Sequence, residues 1–289
     1  MIQEPAQTES LEHAIDELFA QSKPPADRSR DIVGALLALI EDGSVRAAQV
    51  DANGTWQPVG WVKRGILLGF RVGEIIDMSS PRGKGVAGFS FFDKDTFPTR
   101  QFDLSDGVRI VPGGSSVRRG AYLARGVVCM PPSYVNVGAY VGAGTMIDSH
   151  ALVGSCAQVG ERVHLSAAAQ LGGVLEPINA APVVIEDDVV IGGNCGVYEG
   201  TVVRNRAVLG SGVILTRGTP VYDLVNETVH RASASEPLVI PAGAVVVPGA
   251  RPTSSAWGRK HGLCISTPVI VKYRDDRTDA ATALEESLR

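Results

Sequence analysis

The chain has 289 residues, a formal net charge of −4 and a pI of about 5.8. This length allows a sizeable core and two or three structural units. The charge excludes a global basic field of the kind that draws proteins to nucleic acid or membranes, so we expect neither as a partner. The opening stretch MIQEPAQTESLEH has no signal-peptide pattern, and no apolar run approaches the roughly 20 residues that span a bilayer.

Residues 1–108 are predicted to form an α/β domain. SLEHAIDELFAQS has an apolar face typical of a helix, with Ser10 as a candidate N-cap. A second helix is expected from Asp31 to Gly43. A hairpin is expected around Asn53-Gly54, followed by a third helix in GWVKRGILLGFRV. The cationic stretch from Ser79 to Gly88 fits no nucleotide-binding signature and is interpreted as a solvated loop.

From residue 117 onward, inward-type aliphatic residues return every six positions. Neither a helix, with period 3.6, nor a simple strand, with period 2, explains that spacing. A thin side chain follows each aliphatic by four positions, and the register slips once, across EPINAAP. The pattern is a hexapeptide repeat. Its anchors are Val117, Leu123, Cys129, Val135, Val141, Ile147, Val153, Val159, Leu165 and Leu171, then Ile185, Ile191, Val197, Val203, Leu209, Leu215 and Val221.

Six residues suffice for one short strand and one tight corner, so three repeats close a triangular coil. Successive coils stack at the ordinary strand spacing of about 4.8 Å, with the aliphatics filling the interior. The prism is predicted over residues 109–250, with loops at about 175–183 and 224–239. Its open ends need caps, which we expect the non-repeating flanks to supply. Residues 251–289 are predicted to form a C-terminal strand and helix.

The four cysteines show no metal-site spacing. Cys129 lies on the repeat and Cys195 at its thin position, which favours small core residues over nucleophiles. Reduced thiols and a cytoplasmic location are therefore expected.

Hexapeptide prisms carry acyl transfer, zinc-dependent carbonic anhydrase chemistry or non-catalytic scaffolding. Zinc needs three converging histidines, but only His150 and His164 lie in the continuous coils, so no metal site is expected. A scaffold would leave Asp148 and Glu199 unexplained. Both carboxylates have Gly-, Ser- and Thr-rich neighbours, where partial desolvation can tune a base. Judged by position in the repeat alone, each of the two carboxylates is interpreted as a solvated residue on a face of the prism.

The stretches MPPSYVNVGAYVGAGTMIDSHALVGSCAQVGERVHLSAAAQLGGVLEP and VIEDDVVIGGNCGVYEGTVV resemble the tetrahydrodipicolinate N-succinyltransferase family, and the resemblance extends over nearly the whole chain. It implies a mainly β fold, a left-handed parallel β-helix, and a homotrimer with active sites between subunits. It also implies succinyl transfer from succinyl-CoA, as co-substrate, to the amino group of ring-opened tetrahydrodipicolinate, in lysine and diaminopimelate biosynthesis. No permanently bound cofactor is implied.

The resemblance assigns substrate binding to Arg109 and Asp148 and catalysis to Glu199, with or without Asp148. Arg109 can grip a carboxylate of the acceptor, and Glu199 can take a proton from its ammonium group, so direct transfer in a ternary complex is expected. His164 is expected to be structural or peripheral.

For coenzyme A, the pantetheine arm is expected along Gly212, Ala242 and Gly243. Arg251 and Lys260 are candidate phosphate contacts, although they are equally consistent with ordinary surface charges.

Two departures from the family pattern leave specificity open. His150 replaces a tryptophan, and Ala167 and Ala168 replace glycines after Ser166. A related N-acetyltransferase on a similar amino-dicarboxylate, and a non-catalytic scaffold, remain as alternatives.

Overall fold

The structure is a computed structural model that describes residues 5–79, 90–234 and 236–275. The N-terminal unit contains three helices and two short hairpins. Its elements are α1 (Pro5–Ala20), α2 (Ala26–Glu41), β1 (Ala48–Val50), β2 (Trp56–Pro58), α3 (Gly60–Val72), β3 (Ile75–Asp77) and β4 (Phe92–Lys94), followed by a 3₁₀ turn at Leu104–Asp106.

The three helices pack through the apolar stripes that predicted them. Leu11, Ile15 and Leu18 of α1 are buried at helical spacing, against α2 and α3. α3 spans the predicted GWVKRGILLGFRV. The predicted hairpin around Asn53-Gly54 is also confirmed, with β1 and β2 antiparallel. α2 begins at Ala26 rather than at the predicted Asp31. Proline is tolerated at the start of a helix but not in its interior, so the helix begins directly after Pro25, which stands at its N-cap.

Seventeen short strands follow, one for each six-residue repeat. Before the register slip they are β5 (Arg109–Ile110), β6 (Ser116–Val117), β7 (Tyr122–Leu123), β8 (Val128–Cys129), β9 (Tyr134–Val135), β10 (Tyr140–Val141), β11 (Met146–Ile147), β12 (Leu152–Val153), β13 (Gln158–Val159), β14 (His164–Leu165) and β15 (Gln170–Leu171). After it they are β16 (Val184–Ile185), β17 (Val190–Ile191), β18 (Gly196–Val197), β19 (Val202–Val203), β20 (Val208–Leu209) and β21 (Ile214–Leu215).

These strands form the three faces of a left-handed parallel β-helix, as predicted. Face 1 contains β5, β8, β11, β14, β17 and β20; face 2 contains β6, β9, β12, β15, β18 and β21; face 3 contains β7, β10, β13, β16 and β19. Parallel pairing within each face keeps the aliphatics in register, for example Ile147 beside Leu165. The repeat aliphatics form one buried core that fills the prism.

The C-terminal part closes the far end of the prism. Its elements are β22 (Val221–Asp223), β23 (Thr228–His230), β24 (Val239–Ile240), β25 (Ala244–Pro252), α4 (Ala256–Lys260) and β26 (Cys264–Tyr273). β24 joins face 3, and β25 joins face 1 and pairs antiparallel with β26. A strand was expected after residue 250; β26 provides it, whereas β23 and α4 were not predicted. The predicted terminal helix lies outside the described residues, as does nearly all of the loop expected at Ser79–Gly88.

The N-terminal unit packs along the side of the prism and not across its open end. Val137 and Cys156, at the corner between faces 2 and 3, belong to the same buried cluster as the helices. Trp56 of β2 donates a hydrogen bond from Nε1 to Glu186 on the prism at 3.0 Å. The expectation that both flanks act as end caps was therefore wrong for most of this unit; Phe102 and Val108, just before β5, are the partly buried residues there that pack on the prism core.

Candidate active site

Glu199 occupies the corner between faces 2 and 3, immediately after β18, with an unusual backbone. Corner residues with positive φ otherwise come three positions after an inward aliphatic, as at Asn194 and Arg206. Glu199 comes only two positions after Val197, has φ of 54°, and is followed by Gly200 with φ of 74°. The left-handed conformation costs a non-glycine residue about 1–2 kcal/mol. Strain of this kind clusters at functional sites.

The Glu199 side chain lies in a cavity of about 630 Å³. Its Oε2 accepts a hydrogen bond from the backbone N–H of Arg217 at 2.7 Å, one coil higher. The opposite wall is the loop at Glu176, Pro177 and Ala180, and the Gly172-Gly173 corner lies beneath. In the single chain the Glu199 side chain is exposed, so the partial desolvation predicted for it is not provided by this chain alone.

A second cavity, of about 390 Å³, lies on the other side of the same corner. It shares Glu199, Ala180 and Arg217 with the first. The Arg217 guanidinium donates to the carbonyl oxygens of Ser233 and Ala234, which ties these two residues to this corner. The carboxylate therefore stands on a ridge between two recesses, each open to a small molecule.

Arg109 and Asp148 both belong to face 1, about two coils apart. Arg109 begins the outward row of that face, beside Val128, and Val128 in turn pairs with Met146. Asp148 follows two residues later, at the corner between faces 1 and 2, and its Oδ1 accepts from the backbone N–H of Ser149 at 2.7 Å. Arg109 is exposed and Asp148 half-buried. A cation and an anion are thus displayed on the same side of the prism, about two coils apart along its axis.

Asp148 and Glu199 do not meet in one chain. They lie on different corners, as predicted, because β11 belongs to face 1 and β18 to face 2. β18 is the seventh strand after β11, so the EPINAAP segment protrudes as a loop and adds no strand. That is slightly more than two coils, about 11 Å along the prism axis.

Both departures from the family pattern lie in the corner column of Asp148. His150 is exposed there with φ of 62°, and Ala168, one coil higher, has φ of 59°. Gln170 donates from Nε2 to the carbonyl oxygens of both residues. Ala168 carries the cost of a left-handed conformation that a glycine avoids. The corner column of Asp148 is therefore where this chain departs from the family pattern.

The predicted coenzyme A residues do not form one cluster. Gly212, with φ of 81°, lies in the corner column of His150. A Cβ added at Gly212 would lie 3.9 Å from Cγ of Pro248, which leaves the corner open. Ala242 and Gly243 lie at the corner between faces 3 and 1, across face 1 from Gly212. The Gly243 backbone already accepts a hydrogen bond from the N–H of Arg274 at 2.6 Å, so this chain's own C-terminal segment makes the close approach predicted there for pantetheine.

Arg251 and Lys260 lie on the arm formed by β25, α4 and β26. Arg251 comes seven residues after Ala244 along the extended strand β25, so the two residues are about 23 Å apart. This distance places Arg251 beyond the Gly212 corner. Lys260 is exposed at the end of α4. Within the described part of the chain, the buried Nε of Arg251 has no hydrogen-bond partner. A guanidinium with an unmet donor suits an anion.

Cys129, Cys156 and Cys195 are buried, and burial raises the pKa of the Cys129 and Cys156 thiols to about 12. The prediction of Cys129 and Cys195 as core residues is confirmed. Over residues 5–79, 90–234 and 236–275, no three His, Cys, Asp or Glu side chains come together in a way that could hold a metal ion. No helix in those ranges has the length and apolarity to cross a membrane.

The sequence predicted a loop at about 175–183, but it assigned neither this loop nor Arg217 to the site. Arg217 had a usable signal, because it follows Glu199 by 18 residues, the length of one coil. Within a run of uninterrupted repeats, a residue at that offset lies one coil further along the prism, next to the first. The sequence signal for the loop is the slip in the six-residue register. That slip shows that extra residues are present but not where they pack.

The fold and the Glu199 cavity define a class, the hexapeptide-repeat transferases: the sequence family described as hexapeptide repeat of succinyl-transferase matches residues 182–217. The family described as tetrahydrodipicolinate N-succinyltransferase N-terminal matches residues 10–72. The chain is 42% identical over 290 residues, 98% of its length and 99% of the relative's, to a 2,3,4,5-tetrahydropyridine-2,6-dicarboxylate N-succinyltransferase of Nitrobacter winogradskyi. It is likewise 42% identical to the protein of that name from Azoarcus, over 97% and 99% of the two chains.

The chain therefore belongs to the tetrahydrodipicolinate N-succinyltransferase family. A solved structure from Campylobacter jejuni, titled a putative 2,3,4,5-tetrahydropyridine-2-carboxylate N-succinyltransferase, aligns at 17% identity with a TM-score of 0.43. That alignment covers 83% of this chain and 62% of the other, a likeness too low to add weight.

Proposed function

We propose that this protein transfers a succinyl group from succinyl-CoA to the amino group of ring-opened tetrahydrodipicolinate, a step of lysine and diaminopimelate biosynthesis. The observation that carries the proposal is 42% identity along 98% of the chain to a relative with that named activity. CoA serves as a co-substrate, and no permanently bound cofactor takes part.

The chemistry requires a base beside an open recess. The acceptor amine is protonated near neutral pH and cannot attack until it loses a proton. Glu199 takes that proton, with its carboxylate oriented by the Arg217 N–H. The freed nitrogen forms a bond to the thioester carbonyl carbon and the carbon–sulfur bond breaks. The CoA thiolate leaves and takes up the second proton, which the nitrogen loses as the amide forms. Backbone N–H groups at the glycine-rich corners stabilise the oxyanion.

Arg109 and Asp148 hold the acceptor. The Arg109 guanidinium grips a carboxylate, and Asp148 pairs with the ammonium before transfer. Gly212 and Arg251 support a CoA path along the corner between faces 1 and 2 and onto the β25–β26 arm, because Gly212 leaves that corner open and the Arg251 Nε lacks a partner in the described chain. Ala242 and Gly243 lie off this path.

The active unit is a homotrimer in which Asp148 of one subunit and Glu199 of the next share a substrate. The separation of the two carboxylates within one chain supports this arrangement. Closure of the interface also supplies the water exclusion that the single chain does not give Glu199. Three unpaired buried cysteines suit a reducing cytoplasm.

Thiol release with tetrahydrodipicolinate as acceptor tests the function. We expect release from succinyl-CoA at a rate well above that from acetyl-CoA, and no release without acceptor. Faster release from acetyl-CoA would establish an N-acetyltransferase instead. A scaffold would release nothing and would show no thermal shift with either donor, whereas a ligand at a hundredfold excess over its Kd stabilises by about 2.7 kcal/mol.

A further inference from the structure

Lys63 is a fully buried lysine between the N-terminal unit and the prism. It lies in the first turn of α3 with an exposed fraction of 0%. Burial lowers the pKa of its ammonium group. Removing an ammonium from water is costly and is normally offset by a carboxylate partner. Among the described residues, no carboxylate forms an ion pair with Lys63.

The ammonium instead donates to a backbone carbonyl in the protruding loop 176–181. Nζ of Lys63 lies 2.5 Å from the carbonyl oxygen of Ala180. The start of the same helix also faces this loop, since a side chain at Gly60 would place its Cβ 3.7 Å from Cγ2 of Ile178. The N-terminal unit therefore holds the loop through Lys63 and lies close to it at Gly60.

The other side of the loop presses on the Glu199 corner. A side chain at Gly200 would place its Cβ 2.7 Å from the Ala181 carbonyl oxygen, so loop and corner are in close backbone contact. Ala180 also lines both cavities that flank Glu199. Contacts thus run from α3 through Lys63 and the loop to the backbone next to Glu199.

We infer that Lys63 is a positioning residue of the transfer site: by fixing the 176–181 loop, it sets the width of the recess in which the acceptor meets Glu199. The inference rests on the proposed function. A buried charge is a poor choice for stability alone, because an apolar residue of similar volume avoids the desolvation cost. A single directed hydrogen bond to the loop is what the charge supplies.

The test is Lys63→Met, which removes the ammonium and keeps the volume. The matched control is Thr96→Val, because Thr96 is also buried and also donates to a carbonyl of α3, that of Gly69 at 3.0 Å, but does not contact the loop. Hydrogen–deuterium exchange of the 176–181 segment is compared with steady-state kinetics for donor and acceptor. Ile178→Ala, which loosens the loop without removing the lysine, covers the case in which Lys63→Met does not fold.

Lys63→Met and Ile178→Ala should both raise exchange in the loop and lower kcat/KM for the acceptor about 10- to 100-fold, with the donor KM unchanged. Thr96→Val should lower the melting temperature without either effect. Unchanged hydrogen–deuterium exchange in the loop would show that Lys63 does not hold it in place. Raised exchange with normal acceptor kinetics would overturn the positioning role. Failure of the proposed function is distinct, because the wild type itself would then transfer no succinyl group.

Discussion

The backbone of Glu199 makes one substitution a clean probe of its side chain. Glu199→Gln leaves the left-handed φ in place and keeps an oxygen that can accept from the Arg217 N–H. We expect normal folding and a loss of about 10²–10⁴ in kcat, since a positioned base contributes that much. Steady-state kinetics and thermal melts of the same preparation check both parts. A variant that keeps more than about a tenth of wild-type kcat would remove Glu199 from proton transfer.

Arg109 gives a prediction that separates the two substrates. It is exposed at the start of face 1, so Arg109→Ala should barely change stability. Loss of a charge-assisted contact to a carboxylate should raise the acceptor KM about 10- to 100-fold. The donor KM should stay nearly constant. If the donor KM rises instead, Arg109 belongs to the CoA site and the acceptor must be held elsewhere.

Single residues were predictable where their chemistry conflicted with their surroundings. Asp148 and Glu199 stood out as carboxylates in glycine-rich repeats. Lys63 did not stand out, because it lies within a helical stretch whose apolar pattern is complete without it. Its burial depends on the 176–181 loop, which folds back over α3 from more than a hundred residues away. Pattern reasoning within one window does not reach that distance.

Among the elements, β22 carries a buried carboxylate, Asp223, that should make stability depend on pH. Burial alone would raise the pKa of Asp223, but hydrogen bonds from Tyr273 at 2.6 Å and from Asn226 and the Val225 N–H outweigh it, so the pKa lies well below its usual range. The Nε2 of His230 is also 3.4 Å from this carboxylate. The resulting stabilisation is present above the unfolded-state pKa of about 3.9 and is lost as pH falls through the folded-state value.

Asp223→Asn should therefore lower the free energy of unfolding by about 2 kcal/mol at neutral pH, the scale of hydrogen bonds to a charged group. The difference in the free energy of unfolding between the variant and the wild type should become smaller below about pH 4. Denaturant melts from pH 7 to pH 3 measure it. Asp51→Asn is the control, since Asp51 also accepts from backbone N–H groups but is more exposed, and its effect should be smaller. An equal effect at both positions would mean that burial of Asp223 adds nothing.

Elements were predictable to the degree that their signals are local. The hexapeptide period fixed the strands almost residue by residue, because one inward aliphatic per repeat leaves little freedom in register. α3 was delimited by its own sequence. β23 and α4 were missed because they are short and carry no period. α4 is only five residues long, and its Ser255 cap has no apolar stripe behind it.

At the scale of the whole molecule, the placement of the N-terminal unit was the main error. Open prism ends require caps, and the flanks were the available candidates. The unit instead covers the corner between faces 2 and 3, where Val137 and Cys156 replace the polar residues that an exposed corner would carry. Among the described residues, Val137 and Cys156 are the fully buried prism residues of the cluster shared with the helices, and both lie at this corner.

The corners occupied by Asp148 and Glu199 determine how subunits can share a site. One corner of face 2 carries Asp148 and the other carries Glu199, so a three-fold ring can bring the Asp148 corner of one prism to the Glu199 corner of the next. Each interface of such a heterologous ring then has one acceptor-binding side and one proton-transfer side. Asp148→Asn and Glu199→Gln should each inactivate a pure trimer, because every site would lack one partner.

Mixing the two inactive variants in equal amounts under conditions that exchange subunits should restore activity. A site is intact only when its Asp148 comes from a Glu199→Gln chain and its Glu199 from an Asp148→Asn chain, so random assembly restores about a quarter of the sites. Exchange is verified by mass spectrometry of intact trimers. A chain carrying both substitutions, mixed with either single variant, must stay inactive, because no intact pair can form. Verified mixed trimers of the two single variants that remained inactive would place both carboxylates within one subunit's site and end the shared-site arrangement.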